Sequence, residues 1–208
     1  MLISSDHYLV AYGSLLSIHS RQHFSGVTAP TLPVSVRGWR RAWITRSSGE
    51  RQTYVGALAD NNGMFNAAII PVSLNPSLHK REQDYEFVAV AHEQLELHVD
   101  EAHHASISGR LRDAKVWICQ SREAQLAEWD FPIYQSYVDT CLSGCLESGV
   151  EDFAARFVQS TAHWDTHLVN DRAAPKYPRA APLKPDFARM IDEVMEKFGV
   201  EHHHVNMD

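Results

Sequence analysis

The chain has no surplus of positive charge. Nineteen Lys and Arg stand against 26 Asp and Glu, a formal net charge of −7. That balance argues against a sequence-independent nucleic-acid binder, which needs a basic face. No apolar run reaches membrane-spanning length. The opening residues, Met1-Leu2-Ile3-Ser4-Ser5-Asp6, lack a basic n-region and a sustained apolar stretch, so no signal peptide is expected. Cysteine is scarce. Cys119, Cys141 and Cys145 form an odd set without a CxxC, and Cys141 and Cys145 lie four apart in a helical pattern, where reduced, packed thiols are expected. Internal repeats and low-complexity tracts are missing too. What remains is an ordinary soluble composition and a length of 208 residues, enough for one domain or one domain with an appended helical segment. A cytoplasmic location is the expectation.

Two halves with different periods follow. Up to about residue 119 the pattern is strand-rich. Residues 7–12 predict a strand, 14–24 a short helix, and 34–46 a long strand with Gly38 marking a bulge or close approach. Residues 53–59 and 64–72 flank Asp60-Asn61-Asn62-Gly63, a hairpin signal. Asn75-Pro76 opens a helical segment to about Glu82, and 85–90, 95–99 and 114–118 alternate like strands. After residue 120 the period turns helical, over 121–129, 134–147, 150–160 and 185–198. The last carries Phe187, Met190, Ile191, Val194, Met195 and Phe198 as an apolar stripe. Residues 170–179, with Pro175, Pro178 and three basic side chains, read as a connector ahead of a loop lying over a site, and Arg172 and Arg179 as solvated charges ahead of clamps on a substrate carboxylate.

The most informative stretch is Tyr8-Leu9-Val10-Ala11-Tyr12-Gly13-Ser14-Leu15-Leu16, an apolar strand that stops at Gly-Ser and turns helical. Such a break leaves backbone N–H groups without intrahelical partners, able to hold a carboxylate or a polarised carbonyl oxygen. Glu82, between Arg81 and Tyr85, stands where a helix hands over to a strand. A carboxylate near such donors is a usable general base if burial lifts its pKa, though from composition alone it reads as a surface charge.

This order of elements resembles the γ-glutamylcyclotransferase-like superfamily, including its ChaC-type and AIG2-like branches. The resemblance rests on Tyr12-Gly13-Ser14-Leu15, Arg37-Gly38-Trp39-Arg40-Arg41, Tyr54-Val55-Gly56-Ala57-Leu58 and Leu78-His79-Lys80-Arg81-Glu82 with Tyr85, across roughly residues 7–100. It implies an α+β fold, a small mixed β-barrel over residues 1–120 with flanking helices, and a helical C-terminal extension over 121–208 packed on the same domain. It also implies that Tyr12, Gly13, Ser14 and Leu15 hold a γ-glutamyl group and that Glu82 is the acid/base, with Tyr85 lining the pocket. The implied reaction cyclises a small-molecule γ-glutamyl substrate to 5-oxoproline and needs no metal or organic cofactor. Two departures stand out: His79 replaces an aspartate common in relatives, and Leu15 an asparagine.

Two rivals are of other classes. One is a non-catalytic binding module for a small metabolite or peptide. The other is a metal-dependent hydrolase built on the 13 histidines. His163 and His167 have the spacing of one helical face, but the glutamate of HExxH is missing between them, and His103, His104, His202, His203 and His204 are expected to be exposed. Ser14 lacks the G-x-S-x-G context of a nucleophile. Trp39, Trp43, Arg40 and Arg41 read as core plus rim rather than a nucleic-acid platform.

Overall fold

A computed structural model describes residues 5–72 and 85–202. The fold is α+β, a large mixed sheet with helices against it. The first strand, β1 (His7–Ala11), is central and buried. It is antiparallel to β3 (Gln52–Pro71), with Leu9 opposite Ile70, and parallel to β6 (Lys115–Ser121), with Leu9 opposite Trp117. Beyond β3 lies β2 (Leu32–Ser47), then β5 (Leu95–Leu97), while β4 (Tyr85–Ala89) edges β6. The order is therefore β4-β6-β1-β3-β2-β5, with β8 (Thr161–Ala162) added parallel to β2. A further pairing, Ala57 with Gln120, joins β3 to β6. The end strands β4 and β5 do not pair with each other, so among the described residues the sheet is not the closed barrel expected from the sequence.

The Asp60-Asn61-Asn62-Gly63 hairpin is also corrected. Those four residues lie inside one 20-residue strand. Pairing steps from Arg37–Met64 to Trp39–Ala59, so Gly38 alone faces four residues of β3. This is an enlarged bulge, and it needs glycine on both sides. Gly38 has φ +82°, and a Cβ on Gly63 would come within 2.4 Å of the Trp39 carbonyl oxygen. The Asp60 carboxylate accepts from Asn62 N–H at 3.0 Å, the local turn chemistry that made the segment look like a hairpin.

Helix α1 (Ile18–Ser25) starts later than residue 14. Ser17 is extended and caps the helix by accepting from Ser20 N–H, which leaves Ser14–Leu16 as a single 3-10 turn. α2 (Glu101–Arg112) has no counterpart in the sequence reading, since it buries only Ile107 and Leu111 and shows little periodicity. The helix expected over 121–129 is not formed. Gln125 N–H donates to Ile44 and the Leu126 carbonyl accepts from Arg46, so β2 takes the groups a helix would use. α3 (Gln135–Glu147), α4 (Phe153–Gln159) and α5 (Pro185–Lys197) match their patterns, and β7 (Ile133–Tyr134) pairs with β9 (Leu168–Val169) in a small second sheet. His163 and His167 thus flank a turn, not a helix, and no metal-binding group of three His, Cys, Asp or Glu occurs among the described residues. Cys119, Cys141 and Cys145 are buried and form no disulfide among the described residues. No helix among those residues is long and apolar enough to cross a membrane.

Candidate functional site

Tyr12 to Leu15 leave β1 at the heart of the molecule. The turn closes through Leu16 N–H to Gly13 and Ser17 N–H to Ser14, so neither closing bond uses the N–H of Leu15. Helix α3 lies directly behind. A Cβ on Gly144 would sit 2.3 Å from Leu16 C and Ser17 N, so only glycine lets the helix approach this closely. The helix thereby brings Tyr137 against Gly13, where an added Cβ would lie 2.8 Å from the Tyr137 hydroxyl and 2.8 Å from Val55 Cγ2.

Tyr137 is the central side chain here, and sequence reasoning missed it. Its ring is 4 % exposed and packs edge-on to Tyr54 at 4.7 Å and Trp43 at 5.7 Å, and tilted against Tyr177 at 4.8 Å. Its hydroxyl makes no hydrogen bond among the described residues, although it is not sealed from open space. Burial, helped by Cys141, Tyr85, Tyr177 and Tyr12, holds its pKa well above the ordinary tyrosine value. It is a neutral donor aimed at the turn.

Residues 170–179 depart from the connector favoured by the sequence reading. They form a strap rather than a solvated connector. Arg172 clamps the buried Asp139 with Nε and Nη2, both at 2.8 Å, and reaches Asp192. Asp171 accepts from Ser136 N–H at 2.7 Å, Ser136 Oγ at 2.6 Å and Lys176 N–H at 2.6 Å, capping the start of α3 with negative charge. So anchored, the strap carries Tyr177 to the turn, where its hydroxyl donates to Ser14 Oγ at 2.8 Å. Arg179 donates to that hydroxyl at 3.2 Å and is balanced by Glu50 at 2.9 Å. Burial pulls the Arg179 pKa down, but Tyr177 and Glu50 outweigh it and hold the guanidinium above its ordinary value. The sequence signal was there in a weak form, an arginine at each end of a proline-rich loop.

The other expected residues fall as follows. Tyr12 is buried, donates its hydroxyl to the Cys119 carbonyl and packs on Phe65 at 5.6 Å. Ser14 and Leu15 are buried at the turn. Tyr85 donates to the Val55 carbonyl at 2.8 Å and lies close enough to Tyr137 to raise its pKa. Glu82, Arg81 and the helix expected over 75–82 lie outside the described residues.

No family model matches the chain, and no curated protein does. Among solved structures, a gamma-glutamyl cyclotransferase is similar over 90% of this chain and 98% of its own, at TM-score 0.49 and 10% identity. A yeast γ-glutamyl cyclotransferase specific to glutathione is similar over 95% of this chain and 98% of its own, at TM-score 0.42 and 14% identity. YkqA from Bacillus subtilis is similar over 73% of this chain at TM-score 0.48 and 17% identity, and the chain spans about half, 52%, of its length. All three TM-scores lie below 0.5, and the chemistry of the site rests on its own residues.

Proposed function

We propose that the protein is a cytoplasmic γ-glutamylcyclotransferase-like enzyme. It cyclises a small γ-glutamyl amide to 5-oxoproline and releases an amine, with Glu82 as acid/base. The observation that carries this reading is the turn at Gly13, faced by the Tyr137 hydroxyl, which makes no hydrogen bond among the described residues, and by Tyr177. A donor so placed is available to an acceptor on a ligand.

In the proposed reaction Glu82 takes a proton from the substrate's α-ammonium. The freed amine attacks the γ-carbonyl carbon of the same molecule, and charge develops on the carbonyl oxygen. That attack closes the five-membered ring, and backbone donors of the turn beyond Gly13 stabilise the oxygen, where preset donors act most strongly. Collapse then breaks the original amide C–N bond: Glu82 passes its proton to the departing nitrogen and the second proton of the ring nitrogen follows, so the amine leaves as an ammonium and the ring keeps one N–H. The nucleophile belongs to the substrate, so ring closure supplies a high effective molarity and the reaction calls for no redox or group-carrying cofactor. On this reading residues 1–120 hold the substrate, with Tyr12, Gly13, Ser14, Leu15 and Tyr85 as contacts, and residues 121–208 are an extension packed on them.

The test is 5-oxoproline formation from glutathione and a panel of γ-glutamyl amino acids. We expect turnover of at least one, with loss of about 100-fold or more in Glu82→Gln, the usual weight of a general base. Unchanged activity in Glu82→Gln refutes the assigned role. Absence of turnover with the whole panel, alongside saturable binding of the same compounds, would instead support a binding module.

A further inference from the structure

Arg41 is a fully buried cation without an acidic partner among the described residues. It is 0 % exposed. Its donors go to neutral acceptors throughout: Nε to Thr161 Oγ1 at 2.7 Å, Nη1 to the Asn66 carbonyl at 2.9 Å and the Tyr12 carbonyl at 3.4 Å. Nη2 reaches Asn66 Oδ1, the Phe157 carbonyl and Ser160 Oγ, each at 2.9 Å. The guanidinium also lies 3.7 Å from the centre of the Phe157 ring and 5.1 Å from that of Phe65. Burial lowers its pKa to about 10, partly opposed by Cys145, Cys141, Tyr137 and Tyr12, so it stays charged at neutral pH.

A guanidinium held by dipoles alone keeps its positive field, and low-dielectric surroundings extend that field. The contact with Tyr12 gives it direction. The Tyr12 carbonyl and the Gly13 N–H are two ends of one peptide group, and donation to the oxygen polarises the group and strengthens the N–H as a donor. Against Gly13 stands the hydroxyl of Tyr137, a residue 4 % exposed, with no hydrogen bond among the described residues. Positive field and donor therefore meet at one turn.

We infer that Arg41 is a positioning residue that makes the Tyr12–Gly13 peptide selective for an anionic ligand group, the carboxylate of a glutamyl substrate or of its cyclised product. This rests on the proposed function and adds to it the element that tells a charged ligand from a neutral one of the same shape. Arg41 touches no substrate. It acts through the peptide and through its uncompensated charge.

The test compares two rings of one size, L-5-oxoproline, an anion, and 2-pyrrolidinone, its neutral counterpart. Dissociation constants are measured at pH 6 by ligand-observed NMR for the wild-type protein, Arg41→Met and Arg41→Lys. We expect the wild-type protein to favour the anion at least tenfold. Arg41→Met should lose about tenfold of that preference, which is about 1.4 kcal/mol, while the 2-pyrrolidinone constant moves less than threefold. Arg41→Lys, charged but stripped of the hydrogen-bond fan, should keep most of the preference even if its melting temperature falls. A preference unchanged in Arg41→Met, or both rings weakening together there, overturns the inference and leaves Arg41 a structural residue. Should Arg41→Met fail to fold, Arg41→Lys decides: preference kept supports the role, preference lost refutes it. A wild-type protein that forms 5-oxoproline without favouring the anion refutes the inference alone. One that neither forms it nor favours the anion refutes the function and the inference together.

Discussion

Removing Arg172 tests how the strap is held. Arg172 grips Asp139 through two parallel bonds of 2.8 Å, and the Asp139 side chain is only 5% exposed. The Asp139 hydrogen bond that survives comes from Gln135 Nε2, at 2.7 Å. Arg172→Ala therefore leaves a buried carboxylate without a cation, which costs about 3–5 kcal/mol. The other arm of Arg172 adds little, since the Asp192 side chain is 54% exposed and such pairs are worth about 0–1 kcal/mol. In a chain of this length each kcal/mol moves the melting temperature by about 2–4 °C, so a fall of about 6–20 °C is expected. Urea unfolding at pH 8 and pH 5 gives the second reading. The loss should be of similar size at both, because it comes from removing the cation and its two hydrogen bonds. A loss below about 1 kcal/mol, or additive costs in a cycle with Asp139→Asn, would refute the reasoning.

Gly13→Ala places a methyl 2.8 Å from the Tyr137 hydroxyl and Val55, and we expect 5-oxoproline formation to drop at least about tenfold, measured beside circular dichroism to confirm folding. Gly56→Ala meets Ser121 Oγ at 1.8 Å and Thr45 Oγ1 at 2.3 Å, so a loss of about 1–3 kcal/mol is expected, partly recovered by adding Ser121→Ala. In an alkaline titration followed at 295 nm, Tyr137 should ionise well above the ordinary tyrosine value. Its raised folded pKa means that stability is lost as pH climbs above the ordinary value of 10.0, because the unfolded chain gives up this proton first, and Tyr137→Phe should flatten that loss.

The strand-to-turn break at Gly13 was legible because it is local: an apolar run ending at a Gly-Ser pair suffices to define it. The buried helical stripe of Ile191 and Met195 was legible for the same reason. The strap was not. Nothing near Tyr177 in the chain signals that its hydroxyl will meet Ser14, 163 residues away, and a proline-rich loop has the same composition whether solvated or stitched to a helix. The Asp60-Asn61-Asn62-Gly63 bulge misled for a related reason. Its side chains support a tight local turn, but β2 offers pairing on both flanks and carries the strand straight through. Arg41 shows the limit of alternation: the pattern places its side chain inward, while the acceptors that make this tolerable come from α4 and from Asn66 in β3. Tyr137 sits in a helix buried almost all round, where periodicity marks no special residue.

The contact between Tyr177 and Ser14 also sets an order of events during synthesis on the ribosome. Chains emerge N-terminus first, so β1 and its turn leave the exit tunnel long before their partner exists. The early strands can pair first, yet the Ser14 neighbourhood is whole only once Tyr177, 163 residues later, has emerged. A nascent chain stalled before residue 177 would hold a folded scaffold around an unfinished centre.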